Sequence, residues 1–190
     1  MGRISPVVHD DIARILITEG QIKARVDELG KQISADFAGR ELVVIFVLRG
    51  ASVFFADLIR RIDVPIRIDS IAAASYGDAT KSSGTVRIDK DIDTVIEGKN
   101  VLLVEDIIDT GLTLNYLKSY FLSQKPASLK IVTLLDKPAS RKVAITADYN
   151  GFTVGNDFVV GYGLDYAQRF RNLAYIAIPK EHVWNDEAKE

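Results

Sequence analysis

Three carboxylates fall within five residues in the stretch VLLVEDIIDTGLT, residues 101–113: Glu105, Asp106 and Asp109. Thr110 and Thr113 add hydroxyl donors beside them, and Gly111 lets the backbone come close to an anion. Residues 101–104 are an apolar run short enough for a buried parallel strand, while Leu114, Leu117 and Phe121 recur at helical spacing. The unit therefore predicts a strand, an acidic loop and a helix. A helix N-terminus offers unpaired N–H groups and partial positive charge, which suits a phosphate. Acids beside an anion site are reconciled by a polyol or Mg²⁺ lying between them. A sugar phosphate with free diol hydroxyls satisfies both halves. The plainer alternative is a βα unit whose acids face solvent.

Other elements must hold this stretch in place. Residues 42–48, LVVIFVL, form the most strand-like segment and run straight into Arg49-Gly50. Val53, Phe54, Leu58 and Ile59 then suggest a helix. Residues 66–74 and 129–135 read as further strands, the second ending at Asp136-Lys137-Pro138. Upstream, residues 13–17 suggest a short strand, and Thr18-Glu-Gly-Gln21 reads as a capping box. Ile22, Val26, Leu29, Ile33 and Phe37 share one face of the helix that follows, with Gly39 as its stop. A short strand with a glycine-punctuated turn is expected over 158–166, a last strand over 173–178, and a polar tail over 180–190. Residues 75–84 are poor in apolar side chains and rich in turn formers.

Composition narrows the class. With 190 residues, 47% apolar and 26% charged, the chain suits one globular domain with a substantial core. A net charge of −2 gives no support to a general nucleic-acid binder. The lack of cysteine removes disulfides and thiol chemistry, and His9 and His182 have no partners at metal-ligand spacing. No stretch approaches the ~20 apolar residues of a membrane span. The expectation is a cytoplasmic protein with neither nucleic-acid nor membrane partners.

VLLVEDIIDTGLT resembles the phosphoribosyl pyrophosphate (PRPP) motif of the type I phosphoribosyltransferases, in the flavour of the hypoxanthine-guanine branch. The resemblance runs from about Ile17 to Pro179. It implies an α/β fold: a parallel-sheet core with helices on both faces, a small hood and a flexible lid hairpin. The whole of residues 1–190 would be one domain, with the hood from about 1–17 and 150–190 and the lid at about 75–90. The 5′-phosphate of PRPP would rest on Asp109, Thr110, Gly111, Leu112 and Thr113. Leu112 stands where relatives carry a basic residue, which leaves the phosphate more dependent on backbone N–H groups. Pyrophosphate would meet Leu48, Arg49, Gly50 and Arg171, with a non-proline cis peptide between Leu48 and Arg49. Lys137, Ile107, Phe158, Val159 and Asp165 would form the purine subsite, Phe158 stacking on the base. Ser75 and Tyr76 would head the lid.

The implied reaction joins PRPP to a 6-oxopurine, hypoxanthine and with it guanine. Asp109, Glu105, Asp106 and Arg171 would be the catalytic group, and Mg²⁺ would be held by Glu105, Asp106 and Asp165. A homodimer or homotetramer is the expected assembly. Two alternatives stay open: a phosphoribosyltransferase for another base, and a regulatory protein of the same fold that senses PRPP.

Overall fold

The strand β2 (Leu42–Leu48) buries both its faces. In the computed structural model, which describes residues 9–75 and 86–184, Leu42 and Val44 point into one apolar cluster and Val43, Ile45 and Val47 into another. Strict alternation of this kind splits one apolar run between two cores. The first cluster lies under α1 (Glu19–Asp36) and α2 (Ser52–Ile59), the second under α3 (Leu112–Ser123). Phe54 and Phe121 are fully buried, one in each cluster, and burial of such a ring stabilises by about 1.5–3 kcal/mol. Helices therefore cover both faces of the sheet, as the resemblance implies.

That sheet has six strands in the order β4-β3-β2-β5-β6-β7. They are β3 (Ile66–Ser75), β4 (Val86–Lys90), β5 (Asn100–Ile108), β6 (Ser128–Asp136) and β7 (Tyr149–Thr153), with β2 at the centre. All pair in parallel except β4, which pairs antiparallel with β3 from Ser75↔Val86 to Ala72↔Lys90. The strands β3 and β4 flank the expected lid. Residues 76–85, with Tyr76 among them, lie outside the described residues.

The capping box at Thr18 forms in both directions. The Gln21 N–H donates to Thr18 Oγ1, and the Thr18 N–H donates to Gln21 Oε1. The strand β1 (Ile12–Ile17) enters that helix and pairs antiparallel with β8 (Ile176–Pro179), forming a separate two-stranded sheet. Ile12, Val160, Phe170, Tyr175, Ala177 and Val183 form its own small core. This is the hood. Residues 150–153 were expected within it, but they pair with β6 in the main sheet, Val132↔Tyr149 through Asp136↔Thr153. The YNGFT segment lacks a long apolar run, and its place comes from pairing with β6 rather than from its own pattern. Two further boundaries move: the last strand begins at Ile176, and Glu181–Trp184 of the expected tail forms a short helix, α4.

Candidate active site

Parallel strands bring their carboxyl ends to one edge, where open α/β sheets bind ligands. That edge carries Arg49-Gly50 after β2, Glu105 to Ile108 closing β5, and Lys137 after β6. The expected strand, acidic loop and helix are corrected in one respect. Glu105 and Asp106 are not in a loop, because β5 continues to Ile108, pairing Glu105 with Thr133, Ile107 with Leu135 and Ile108 with Asp136, and only Asp109 lies beyond the strand. The two β-branched isoleucines keep the ladder running past the carboxylates.

Glu105 is buried, at 8% exposure. The Asp106 N–H donates to Glu105 Oε1 at 3.2 Å, and the Ile107 N–H donates to Asp106 Oδ1 at 2.7 Å. Burial, followed by the charge of Asp106, holds the Glu105 carboxyl well above the usual carboxylate range. Burial raises Asp106 too, against the pull of its bond to Glu105 and the positive charge of Arg171. Burial and their mutual repulsion thus disfavour full ionisation of both carboxylates at once.

Gly50 lies directly on this pair. A Cβ built there would sit 1.6 Å from Asp106 Oδ2, so any larger residue would displace the Asp106 carboxylate from its present position. The Leu48–Arg49 peptide is cis. Arg49 is exposed and donates through Nη1 to Gln168 Oε1 at 3.3 Å. Arg171 donates to the same Gln168 oxygen at 3.2 Å and to the Gly163 carbonyl at 2.7 Å, and pairs with Asp165 at 2.7 Å. Both expected pyrophosphate arginines therefore converge on Gln168, a residue with no signal in the sequence. The three carboxylates expected to hold a metal do not gather into one cluster. Asp165 is engaged by Arg171 and by the Gln168 N–H, and among the described residues no group of three acids or histidines forms a metal centre. Glu105 and Asp106 alone still suit Mg²⁺: they are adjacent hard oxygen donors whose close-set negative charges a cation would offset.

Four residues beyond Glu105 begins the turn expected to hold a phosphate. Gly111 is left-handed, with φ at 82°, and forms the N-cap of α3 without a side chain of its own to cap it, while the Leu112 N–H donates to Thr110 Oγ1 at 3.4 Å. A small cleft of about 100 Å³ opens here between Glu105, Ile107, Asp109, Thr110 and Thr113. Asp109 is exposed. A clamp that the sequence did not suggest closes the turn from behind. Arg141 forms an ion pair with Asp136 and donates to the Asp109 carbonyl at 3.1 Å, while the Lys142 N–H donates to the Thr110 carbonyl at 2.9 Å. A Cβ on Gly111 would meet Ile145 Cγ2 at 2.6 Å. Its sole trace in the sequence is a basic pair, Arg141-Lys142, shortly after a strand end.

On the other side of β6, Lys137 is buried at 6% exposure and donates through Nζ to the Asp157 carbonyl at 2.7 Å. Asp157 pairs with Arg14 of β1 at 3.0 Å. Phe158 is 36% exposed, Val159 is buried, and Ile107 is half-buried at the end of β5. Lys137 therefore joins the carboxyl edge to the segment carrying Phe158. Ser75 ends β3 on the same parallel strand direction. A larger cleft of about 460 Å³ lies between α1, α2 and residues 171–174. It is lined by Arg171 but by none of the acids of the carboxyl edge, whereas Glu105 and Asp109 both line the smaller cleft.

The Phosphoribosyl transferase domain family matches residues 16–167. The chain is 51% identical to the hypoxanthine-guanine phosphoribosyltransferase of Bacillus subtilis, over 94% of this chain and 99% of that protein. It is 50% identical to the bifunctional protein TilS/HprT of Listeria innocua, covering 94% of this chain but spanning only 28% of that protein's length. Among solved structures, a hypoxanthine phosphoribosyltransferase from Staphylococcus aureus superposes with a TM-score of 0.92 at 44% identity, covering 96% of this chain and 100% of that one. Fold, motif and relatives agree, and the chain belongs to the phosphoribosyltransferase family, alongside its bacterial hypoxanthine-guanine members.

Proposed function

We propose that the chain transfers the phosphoribosyl group of PRPP to hypoxanthine, and to guanine, yielding the nucleoside monophosphate and pyrophosphate in purine salvage. The observation that carries this reading is the adjacent pair Glu105–Asp106, with Gly50 packed against Asp106 and a helix N-terminus starting six residues after Asp106. One end suits a diol, the other a phosphate, and the loop between them a second phosphate group. The relatives' names supply the purine.

Bond breaking at ribose C1 places positive charge on the ring while pyrophosphate departs. Glu105 and Asp106 orient the diol, and their field favours the cationic ring. Arg49 and Arg171 neutralise the leaving group, Gln168 keeping the two guanidinium groups together. The backbone from Thr110 to Thr113, with its hydroxyls, holds the 5′-phosphate. Asp109 takes the proton from purine N7 as N9 attacks C1. Lys137 donates to the 6-oxo group, Phe158 stacks on the base, Val159 offers backbone groups to its edge, and Ile107 packs against it. Mg²⁺, held by Glu105 and Asp106 with substrate oxygens, would supply further charge neutralisation on pyrophosphate. Ser75 and Tyr76 are assigned to the lid that keeps water out. The protein would work in the cytoplasm as a homodimer or homotetramer. Among the described residues no helix is long and apolar enough to cross a membrane.

The test is direct. Incubation with PRPP, Mg²⁺ and hypoxanthine should yield IMP and pyrophosphate in equal amounts, guanine should yield GMP, and adenine and orotate should react far more slowly. No nucleotide from either 6-oxopurine would overturn the reading.

A further inference from the structure

The helix α4 forms within the stretch that reads as a polar tail. Val183 is buried against the hood core, the Lys180 N–H donates to the Asp11 carbonyl at 2.8 Å, and His182 Nε2 lies 3.5 Å from Asp11 Oδ1. These anchors bring Trp184, the single tryptophan of the chain, onto Phe158. The two rings stack with centroids 5.7 Å apart and planes inclined by 27°. Tyr166 meets the same Phe158 ring at a right angle, 5.8 Å away. Two aromatic neighbours thus restrict Phe158 before any substrate arrives, which lowers the ordering cost of binding. Trp184 and Phe158 nonetheless remain 39% and 36% exposed. Large apolar rings left open side by side mark a binding surface, and a flat heteroaromatic base is a ligand of matching shape.

We infer that Trp184 is a positioning residue of the base subsite: it holds the Phe158 ring in the orientation a purine stacks on, and its own emission reports when that subsite fills. This rests on the assignment of Phe158 as the base platform. The purine subsite then includes the end of α4, which among the described residues forms no hydrogen bond or ion pair with the turn at residues 109–113.

The native protein provides the first measurement. Titration with IMP should change tryptophan emission saturably, with the midpoint given by calorimetry on the same sample. The Trp184→Ala variant should raise KM for hypoxanthine roughly two- to tenfold, the worth of an aromatic pair, with KM for PRPP and the melting temperature nearly constant. Trp184→Phe should restore most of the loss. Heat released on IMP binding without any change in emission overturns the inference, and so does a Trp184→Ala variant that moves both KM values equally or neither. If IMP fails to bind in calorimetry and no nucleotide forms in the assay, the base platform itself falls and the inference with it. The emission measurement needs no variant, so a misfolded substitution cannot shelter the idea.

Discussion

Between Glu105 and Leu114 the site is made of sequence neighbours, whereas the hood draws on β1, residues 157–173 and the β8–α4 end. The phosphate turn inherits its shape from one strand, one left-handed glycine and one helix, reinforced behind by Arg141. The hood has only a two-stranded sheet and a small core, and a few polar ties fasten it to the rest. Lys137 holds the Asp157 carbonyl, and Tyr162 donates to Asp57 of α2 at 2.6 Å. Gly163, at φ 100°, approaches so closely that a Cβ would lie 2.1 Å from the Gly50 carbonyl oxygen. Loss of one group in the turn should remove chemistry without loosening the fold. Loss of one tie in the hood should do the reverse.

The largest expected effect lies in the turn. Asp109→Asn removes an exposed carboxylate whose backbone carbonyl, not its side chain, is what Arg141 holds. The variant should lower kcat by ~10²–10⁴-fold, the usual worth of a general base, with unchanged melting temperature and little change in KM for PRPP. Steady-state kinetics with hypoxanthine checks this. Near-normal kcat would take the Asp109 side chain out of the proton transfer and leave the turn a phosphate holder alone.

The hood gives the next effect. Tyr162 is buried and left-handed at φ 51°, and burial with its bond to Asp57 pushes its hydroxyl far above the usual phenol range. Tyr162→Phe keeps the ring and removes one hydrogen bond to a charged acceptor, worth about 1.5–3 kcal/mol. Because Asp57 keeps its pairing with Arg60 and some access to water, the lower end applies. That corresponds to a fall of about 3–6 °C in melting temperature at the ~2–4 °C per kcal/mol of a domain this size. A thermal scan that shows no fall would mean that the Gly163–Gly50 contact alone seats the hood.

The same contrast explains what was legible beforehand. The core strands, the capping box and the phosphate turn are encoded by apolar runs, helical spacing and turn chemistry, each within a dozen residues. Leu42 to Leu48 and Thr18 to Phe37 are legible from those signals alone. Arg141, Gln168, Tyr162 and Trp184 act through partners between 26 and 119 residues away in the sequence, and no local pattern announces such pairings. The strand β7 was missed for the same reason, since its neighbour makes it a strand. Glu105 and Asp106 were placed in a loop because carboxylates are poor strand formers. Pairing with β6 overrides that preference.

The smallest effect concerns the protonation of that pair. A carboxyl whose pKa is raised by folding binds its proton more tightly in the folded state than in the unfolded one. Folding is then favoured while the group is protonated in both states, and stability declines as pH rises from the unfolded carboxylate range of about 4.3 through the higher folded value. Glu105 is raised chiefly by burial and then by Asp106, so it should impose such a decline on the free protein. Glu105→Gln can still donate to Asp106 but carries no titrating proton. Its melting temperature should therefore lose this part of the pH dependence and exceed that of the native protein by a few degrees at about pH 8, while the two coincide near about pH 4.5. Mg²⁺ with PRPP should recover more stability in the native protein than in the variant at the higher pH, because only the native pair regains a full countercharge. Parallel melting curves across the whole range would mean that Glu105 is already ionised without ligand. The acidic pair would then differ less from the exposed Asp109 than its burial implies, and the division between a buried polyol-holding end and an open proton-accepting end of the same turn would have to be redrawn.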